Sequence, residues 1–249
     1  MKLEFLGTGG GRFTTLSQVR WTGGFKLEEG CSVHIDPGPG ALRAYRHFSF
    51  SPNFSAIFLS HNHLDHVNDV NALVEVMTKG CTKRRGIVFG EKDALDYITP
   101  YHRSFVELKP CRPGEKIKIE KLEVEFTATK HGVPGLGAIF RGGVALWYSG
   151  DTEILEEHYS IKPDIAVLNV LRPWGEKFPG HMNSEQAAEW GLNTKPKLII
   201  IQHFGRKMLN AGPESEARRI EEYSGVRTVA ARDGQVFNFS PGSSLLSFI

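Results

Sequence analysis

Four side chains able to hold a metal ion fall within six residues in His61-x-His63-x-Asp65-His66. Imidazole nitrogens and carboxylate oxygens together suit zinc, manganese or iron, and the absence of cysteine from the run excludes a structural thiolate site. A histidine-rich surface loop is the bland alternative. Three further residues weigh against it: His131 after Thr127-Ala128-Thr129-Lys130, Asp151 after Tyr148-Ser149-Gly150, and His203 after Ile199-Ile200-Ile201-Gln202. Each follows a run that reads as a strand. A lone histidine at such a place is ordinarily structural, but strand ends of a sheet meet in space. Together these seven residues read as one metal site.

The elements that must position them follow from hydrophobic periodicity. Lys2 to Gly7 alternates and stops at the glycine-rich Gly7 to Gly11, and Cys31 to Asp36 repeats the pattern before Pro37-Gly38. Ser55 to Ser60 carries a continuous apolar run, as expected for a strand buried on both faces, and delivers the chain into His61. A helix is predicted from Val67 to Lys79 with Leu73, Val76 and Met77 on one face, then a strand over Gly86 to Gly90 and a short helix over Asp93 to Thr99. Lys116 to Lys130 reads as paired strands, and Gly137 to Phe140 with Val144 to Ser149 as a hairpin. Ile165 to Val170 and Lys197 to Gln202 read as buried strands, with a helix between them capped by Asn183 or Ser184. Pro213 opens a last helix to Tyr223, and Thr228 to Phe239 reads as a hairpin turning at Asp233-Gly234. This order fits two sheets in a sandwich flanked by helices.

A chain of 249 residues, 40% of them hydrophobic, is expected to form a single domain over 1–249. With 30 Lys and Arg against 28 Asp and Glu, a formal charge of only +2 argues against a bulk nucleic-acid surface. Cys31, Cys81 and Cys111 have no C-x-x-C spacing, which suits a reducing compartment, and a cytoplasmic location is expected. The first apolar run is broken by Glu4, too short for a signal segment, and no stretch of about 18 apolar residues follows, so no membrane partner is expected. A homo-oligomer is allowed.

With these residues in view, the chain resembles the metallo-β-lactamase superfamily: His-x-His-x-Asp-His with a later His, Asp and His matches its binuclear members. The resemblance runs from Leu6-Gly7-Thr8-Gly9 through Ser149-Gly150-Asp151-Thr152 to His203-Phe204. It implies an α/β fold, a four-layer αβ/βα sandwich of two mixed β-sheets flanked by helices, with metals at one edge of the sheets. Carried over by motif, His61, His63 and His131 hold one divalent ion, Asp65, His66 and His203 the other, and Asp151 bridges them. Zinc is the expected ion, with manganese and iron also accommodated. Asp36 resembles the superfamily aspartate that supports the metal loop without ligating. Metallo-β-lactamases proper depart from the pattern at the second ion, so antibiotic hydrolysis is not implied.

Leu6-Gly7-Thr8-Gly9 and Gly180-His181-Met182-Asn183 look like the phosphodiesterase branch, which contains the tRNA 3′-end endonuclease and cyclic phosphodiesterases. There the histidine at the His181 position is implicated in protonating the leaving group; a capping-loop role is the alternative. The bacterial endonuclease carries a long arm between its third histidine and bridging aspartate, whereas His131 and Asp151 are twenty positions apart. Leu171-Arg172-Pro173-Trp174-Gly175 also lacks that enzyme's Glu-Ala-Thr signature, so a smaller phosphodiester is expected. Arg141 and Arg172 are the candidate substrate-binding residues, each expected near a strand end at the site. Lys83-Arg84-Arg85 reads as a solvated turn, Gly9-Gly10-Gly11 as either a phosphate cradle or a tight turn, and His34, His47, His102 and His158 receive no role.

Two metals sharing Asp151 also share a water, lower its pKa toward neutrality and present a bridging hydroxide. The expected protein is a binuclear metal-dependent hydrolase acting on a phosphodiester of a small or nucleotide-type anionic substrate. Asp65, Asp151 and His181 are its expected catalytic residues. The same hydroxide opens a lactone, carboxylic ester or thioester, which is the runner-up. A non-hydrolytic metal, redox or partner-binding protein is third, since redox members of the superfamily typically carry glutamate where His63 stands.

Overall fold

Side-chain alternation along short strands builds two sheets in the computed structural model, which describes residues 1–240 and 247–248. β1 (Lys2–Phe5), β2 (Phe25–Glu28), β3 (Ser32–Ile35), β4 (Ala56–Leu59), β5 (Ile87–Gly90) and β6 (Glu107–Pro110) lie side by side in chain order. The second sheet contains β7 (Lys116–Ile119), β8 (Leu122–Ala128), β9 (Leu136–Arg141), β10 (Ala145–Tyr148), β11 (Ile165–Arg172), β12 (Met182–Asn183), β13 (Leu198–Gln202) and β14 (Thr228–Ala230). Its order is β14-β13-β11-β10-β9-β8-β7, with β12 paired to β11. β15 (Val236–Asn238) and β16 (Ser247–Phe248) return to the first sheet beyond β1. Both sheets are mixed: β1 to β3 and β7 to β10 are antiparallel, whereas β3 to β6 and β10-β11-β13-β14 are parallel.

The continuous apolar runs exist because the central strands face two cores. Ala56 and Phe58 of β4, Ile165 and Val167 of β11, and Leu198 and Ile200 of β13 point between the sheets. Ile57 and Leu59 point instead at α2 (Ala41–His47), α4 (Val70–Met77) and α5 (Lys92–Leu95), through Tyr45, Leu73, Val74 and Leu95. Ala166, Leu168, Ile199 and Ile201 point at α7 (Ser184–Thr194), α8 (Arg206–Ala211) and α9 (Pro213–Ser224), through Trp190, Met208 and Ile220. The layers are therefore those of the expected αβ/βα sandwich. α1 (Gly11–Ser17), α3 (Leu64–Val67) and α6 (Pro100–Arg103) are short connectors. Among the described residues no helix is long and apolar enough to cross a membrane.

Three expectations are corrected. The helix over Val67 to Lys79 is broken into α3 and α4, because the Asp69 N–H donates to Pro37 O at 2.9 Å rather than to the carbonyl four residues back. The helix over Asp93 to Thr99 shrinks to α5, capped by the Glu91 carboxylate. Thr228 to Phe239 is not a hairpin: β14 runs parallel to β13 in one sheet and β15 antiparallel to β1 in the other. Asp233 in the crossing accepts from Thr8 N, Thr8 Oγ1 and Trp21 N at 2.6–2.9 Å, and so pins both ends of the loop that carries α1. Residues 241–246 and 249 of the expected domain lie outside the described residues.

Candidate metal centre

Strand direction brings the candidate ligands together. Parallel β4, β10 and β13 all end at the same edge, followed at once by Ser60-His61, Ser149-Gly150-Asp151 and His203. There the two sheets are stitched by Leu136 N donating to Ser60 O at 2.9 Å, which carries His131 alongside His61. The loop after β4 adds His63, then Asp65 and His66 from α3.

All seven expected ligands converge. His61 Nε2 and His131 Nε2 lie 3.1 and 3.0 Å from His63 Nδ1. His66 Nε2 and His203 Nε2 are 3.1 Å apart, and Asp65 Oδ2 is 3.3 Å from His203 Nε2. Asp151 stands between the groups, with Oδ2 at 3.9 Å from His61 Nε2 and 3.6 Å from His66 Nε2, and Oδ1 at 3.4 Å from His203 Nε2.

The outer nitrogens fix the tautomers. His66 Nδ1 donates to Asp36 Oδ2 at 2.9 Å and His131 Nδ1 to Gly180 O at 2.7 Å. The Ser60 hydroxyl donates to Asp36 at 2.6 Å and so accepts from His61 Nδ1 at 3.0 Å. Each of these rings therefore turns inward an Nε2 that is bare whenever the ring is neutral. Bare nitrogens about 3 Å apart repel unless a cation lies among them. Metal–nitrogen bonds of about 2.0–2.1 Å in a tetrahedron would set them roughly 3.3 Å apart, so the donor set fits two ions.

Charge points the same way. Asp36, Asp65 and Asp151 sit close together, and among the described residues no Lys or Arg pairs with any of them. Burial holds the His61 ring well below its ordinary pKa, with the neighbouring His66 adding to the effect. At His66 burial also lowers the pKa, but the carboxylates of Asp151, Asp36 and Asp65 outweigh it and hold the ring above its usual range. Burial would raise Asp151, yet His203 and His66 keep it well below the carboxylate range. The cluster is an anionic pocket that retains a proton for want of other positive charge.

His181 lies at the same edge. β12 pairs with β11, and Asn183 caps α7 by accepting from Gln186 N while Gln186 accepts from Asn183 N, which anchors the His181 loop. His181 Nδ1 is buried without a hydrogen-bond partner, 3.5 Å from Asp151 Oδ2, and burial brings its pKa down to about 4 against the field of that carboxylate. His131, Asp151 and His181 present donor atoms within 4.8 Å of one another, so His181 also stands within reach of an ion.

The other candidates separate. Arg172 lines the cavity of about 640 Å³ that opens on Asp65, Asp151 and His181. Arg141 does not: it pairs with Glu125 at 2.9 Å beside a different hollow. Because β9 is antiparallel to β10, its C-terminal end lies away from the edge where β10 delivers Asp151. The glycine loop is no phosphate cradle, since the amides of Gly9, Gly10 and Gly11 donate to Trp21 O, Phe204 O and Asp65 Oδ2. Gly10 is required for close approach, as a Cβ there would stand 2.2 Å from the His203 ring. Sequence reasoning missed Asn169, which donates to Asp151 Oδ1 at 2.7 Å and accepts from Gln202 at 2.9 Å, and Tyr148, which donates to Asp36 at 2.6 Å. A polar residue inside the apolar run of β11 was the available signal. Arg12 and Arg206, also on the cavity wall, were missed as well.

A family model described as a beta-lactamase superfamily domain matches residues 32–204. The chain is 34% identical to an uncharacterized protein of Methanocaldococcus jannaschii, over 94% of this chain and 93% of that one. It is 23% identical to a ribonuclease Z of Thermococcus kodakarensis (98% and 96% covered) and 26% identical to a metal-dependent hydrolase of Sulfurisphaera tokodaii (88% and 98%). Among solved structures, a metallo-beta-lactamase fold protein of Bacillus subtilis superposes with a TM-score of 0.81 at 17% identity (95% and 98% covered). A diphosphatase of the PhnP family does so with a TM-score of 0.71 at 18% identity (96% and 98%).

Proposed function

The chain belongs to the beta-lactamase superfamily, and from that premise we propose that it is a metal-dependent hydrolase of phosphodiester bonds. His61, His63 and His131 would hold one divalent ion, Asp65, His66 and His203 a second, with Asp151 between them. The observation that carries the reading is the set of imidazole nitrogens and buried carboxylates facing one another with, among the described residues, no Lys or Arg paired to them. Zinc, a cytoplasmic setting and a single domain over 1–249 belong to the same proposal.

Ions bound there supply an acidified water and positive charge opposite the oxygens of the reacting group. The chain's own residues orient the rest. Asp36 holds Ser60, His66 and Tyr148 in register, and Asn169 fixes the Asp151 carboxylate. The Gly11 amide fixes Asp65 at 2.7 Å. His181 rests neutral near pH 7, because burial has taken its pKa to about 4. An anionic substrate beside the ring restores its proton affinity, and the ring then protonates the departing oxygen. The name of the ribonuclease Z relative supports the phosphodiester bond class, and that of the diphosphatase supports hydrolysis at phosphorus more broadly.

The test pairs metal content of protein purified without added metal with rates on bis-p-nitrophenyl phosphate, a cyclic nucleotide and a simple lactone. About two metals per chain, with phosphodiester turnover abolished by chelator, is the expected result. Lactone turnover alone would move the reaction to carboxylic esters, and no metal after reconstitution would overturn the centre. On the cyclic nucleotide, whose alkoxide leaving group needs a proton, His181→Ala should keep its metal and lose roughly 10²–10⁴ in rate, with a smaller loss on bis-p-nitrophenyl phosphate, whose phenolate departs unprotonated. Full activity in that variant sinks the assigned role.

A further inference from the structure

α1 is turned inside out. An amphipathic helix on a protein surface ordinarily buries its apolar stripe. Here the buried residues are Thr14 and Thr15, whose hydroxyls donate to Phe204 O and Gly11 O, while Phe13 and Leu16 are 65% and 74% exposed. Both exposed side chains line the cavity that opens on Asp65, Asp151 and His181, and Phe178, 45% exposed, faces it from the loop before His181. Apolar surface held open beside a reactive edge marks a binding wall.

The same cavity carries three guanidinium groups: Arg12 on α1, Arg172 at the end of β11 and Arg206 at the start of α8. Among the described residues none of the three has a carboxylate partner; Arg43, Arg46 and Arg112 elsewhere also have none, and what sets these three apart is that they share one cavity wall with the reactive edge. Arg172 is held with its guanidinium 4.7 Å above the Phe178 ring. A phosphodiester carries one negative charge, and two divalent ions already face it. Three further unpaired cations call for a further anion.

Resting on the phosphodiesterase reading, the geometry points to a substrate class: a small phosphodiester that bears an aromatic or other apolar group against Phe13 and Leu16 and a second anionic group among Arg12, Arg172 and Arg206. A nucleotide with a phosphate remote from the scissile bond has this chemistry. The cavity of about 640 Å³ suits a ligand of that size.

The experiment uses the metal-loaded protein and p-nitrophenyl phosphodiesters sharing one leaving group: the methyl ester, the phenyl ester, and thymidine 5′-(p-nitrophenyl phosphate) with and without a 3′-phosphate. kcat/KM should rise about tenfold from methyl to phenyl, and about tenfold again on adding the 3′-phosphate. The Phe13→Ser, Leu16→Ser double variant should lose the first step, and the Arg12→Gln, Arg206→Gln double variant the second while keeping the first. Flat selectivity in the wild type, or both steps intact in the variants, overturns the inference and leaves the phosphodiesterase reading standing. A dimer that the Phe13 and Leu16 substitutions dissociate would assign the wall to a second copy and also overturn it. No turnover of any phosphodiester by protein holding two metals would sink the phosphodiesterase reading, and this inference with it.

Discussion

Two kinds of buried histidine lie in this molecule. His34, on β3, is fully buried, with Nδ1 2.7 Å from the Tyr45 hydroxyl and Nε2 3.0 Å from Gly23 O. The ring donates through one nitrogen and accepts through the other, and burial pushes its pKa down to about 3. At the candidate metal centre the outer nitrogens of His61, His66 and His131 are bonded in the same way, but the inner nitrogens face one another. The second nitrogen separates the roles: where protein satisfies it the ring is structural, and where it meets only other lone pairs the ring awaits a cation. His158, which bonds Leu155 N and Ala128 O, falls on the structural side.

Asp151→Asn should produce the largest effect, since Asp151 is the carboxylate shared by both groups. Metal content should fall below two per chain and turnover by a factor on the order of 10³ or more. Unchanged metal with unchanged rate would contradict the bridge. Asp36→Asn sharpens the contrast from outside the ligand set, because Asp36 touches His66, Ser60 and Tyr148 at a φ of 51° that asparagine tolerates. Chelator competition should show metal affinity reduced about 10–100-fold with the fold retained. An unaffected affinity would mean that the His66 tautomer is set elsewhere.

The structural side of the comparison makes a prediction in pH. The folded pKa of His34 lies near 3 against an ordinary 6.5, so below about pH 6.5 the unfolded chain binds a proton that the folded one refuses. Stability from this group is full above that value and is lost as pH falls toward 3, by up to roughly 4–5 kcal/mol. Urea midpoints of metal-free protein between pH 4 and 8 should fall more steeply for wild type than for His34→Gln. Identical slopes would remove His34 as the cause. Smallest of all is Arg141→Ala, which ends β9 away from the centre and pairs with Glu125 of β8: turnover should stay within about twofold and stability within about 0.5 kcal/mol.

The convergence of all seven candidate ligands was legible because each follows a run whose apolar pattern marks a strand, and strand ends sharing a direction meet. Arg141 was misplaced for the complementary reason: the sequence shows that Leu136 to Arg141 is a strand but not which way it runs beside its neighbour. The broken helix at Asp69 and the crossover at Asp233 were invisible because the partners that decide them, Pro37 O for one and Thr8 and Trp21 for the other, are remote in sequence. The inverted face of α1 could not be read from Arg12 to Ser17, since apolar residues at helical spacing are ordinarily the inward ones. Asn169, Tyr148 and Gln202 form a polar thread behind Asp151 that periodicity counts as three interruptions and the packed sheet makes into one support.

The Asp233 carboxylate also has a bearing on the order of assembly. It bonds residues 225 and 212 positions earlier in the chain, which makes the loop bearing α1 among the most non-local pieces of the fold. Contacts of such span form late, after the loop-closure entropy between them has been met. On the ribosome, every candidate ligand through His203 is synthesised before the residue that anchors the cavity's apolar wall. A nascent chain can thus gather its candidate metal edge, with α1 seated only by its bonds to Asp65 and Phe204, before Asp233 emerges to close the loop that carries the wall.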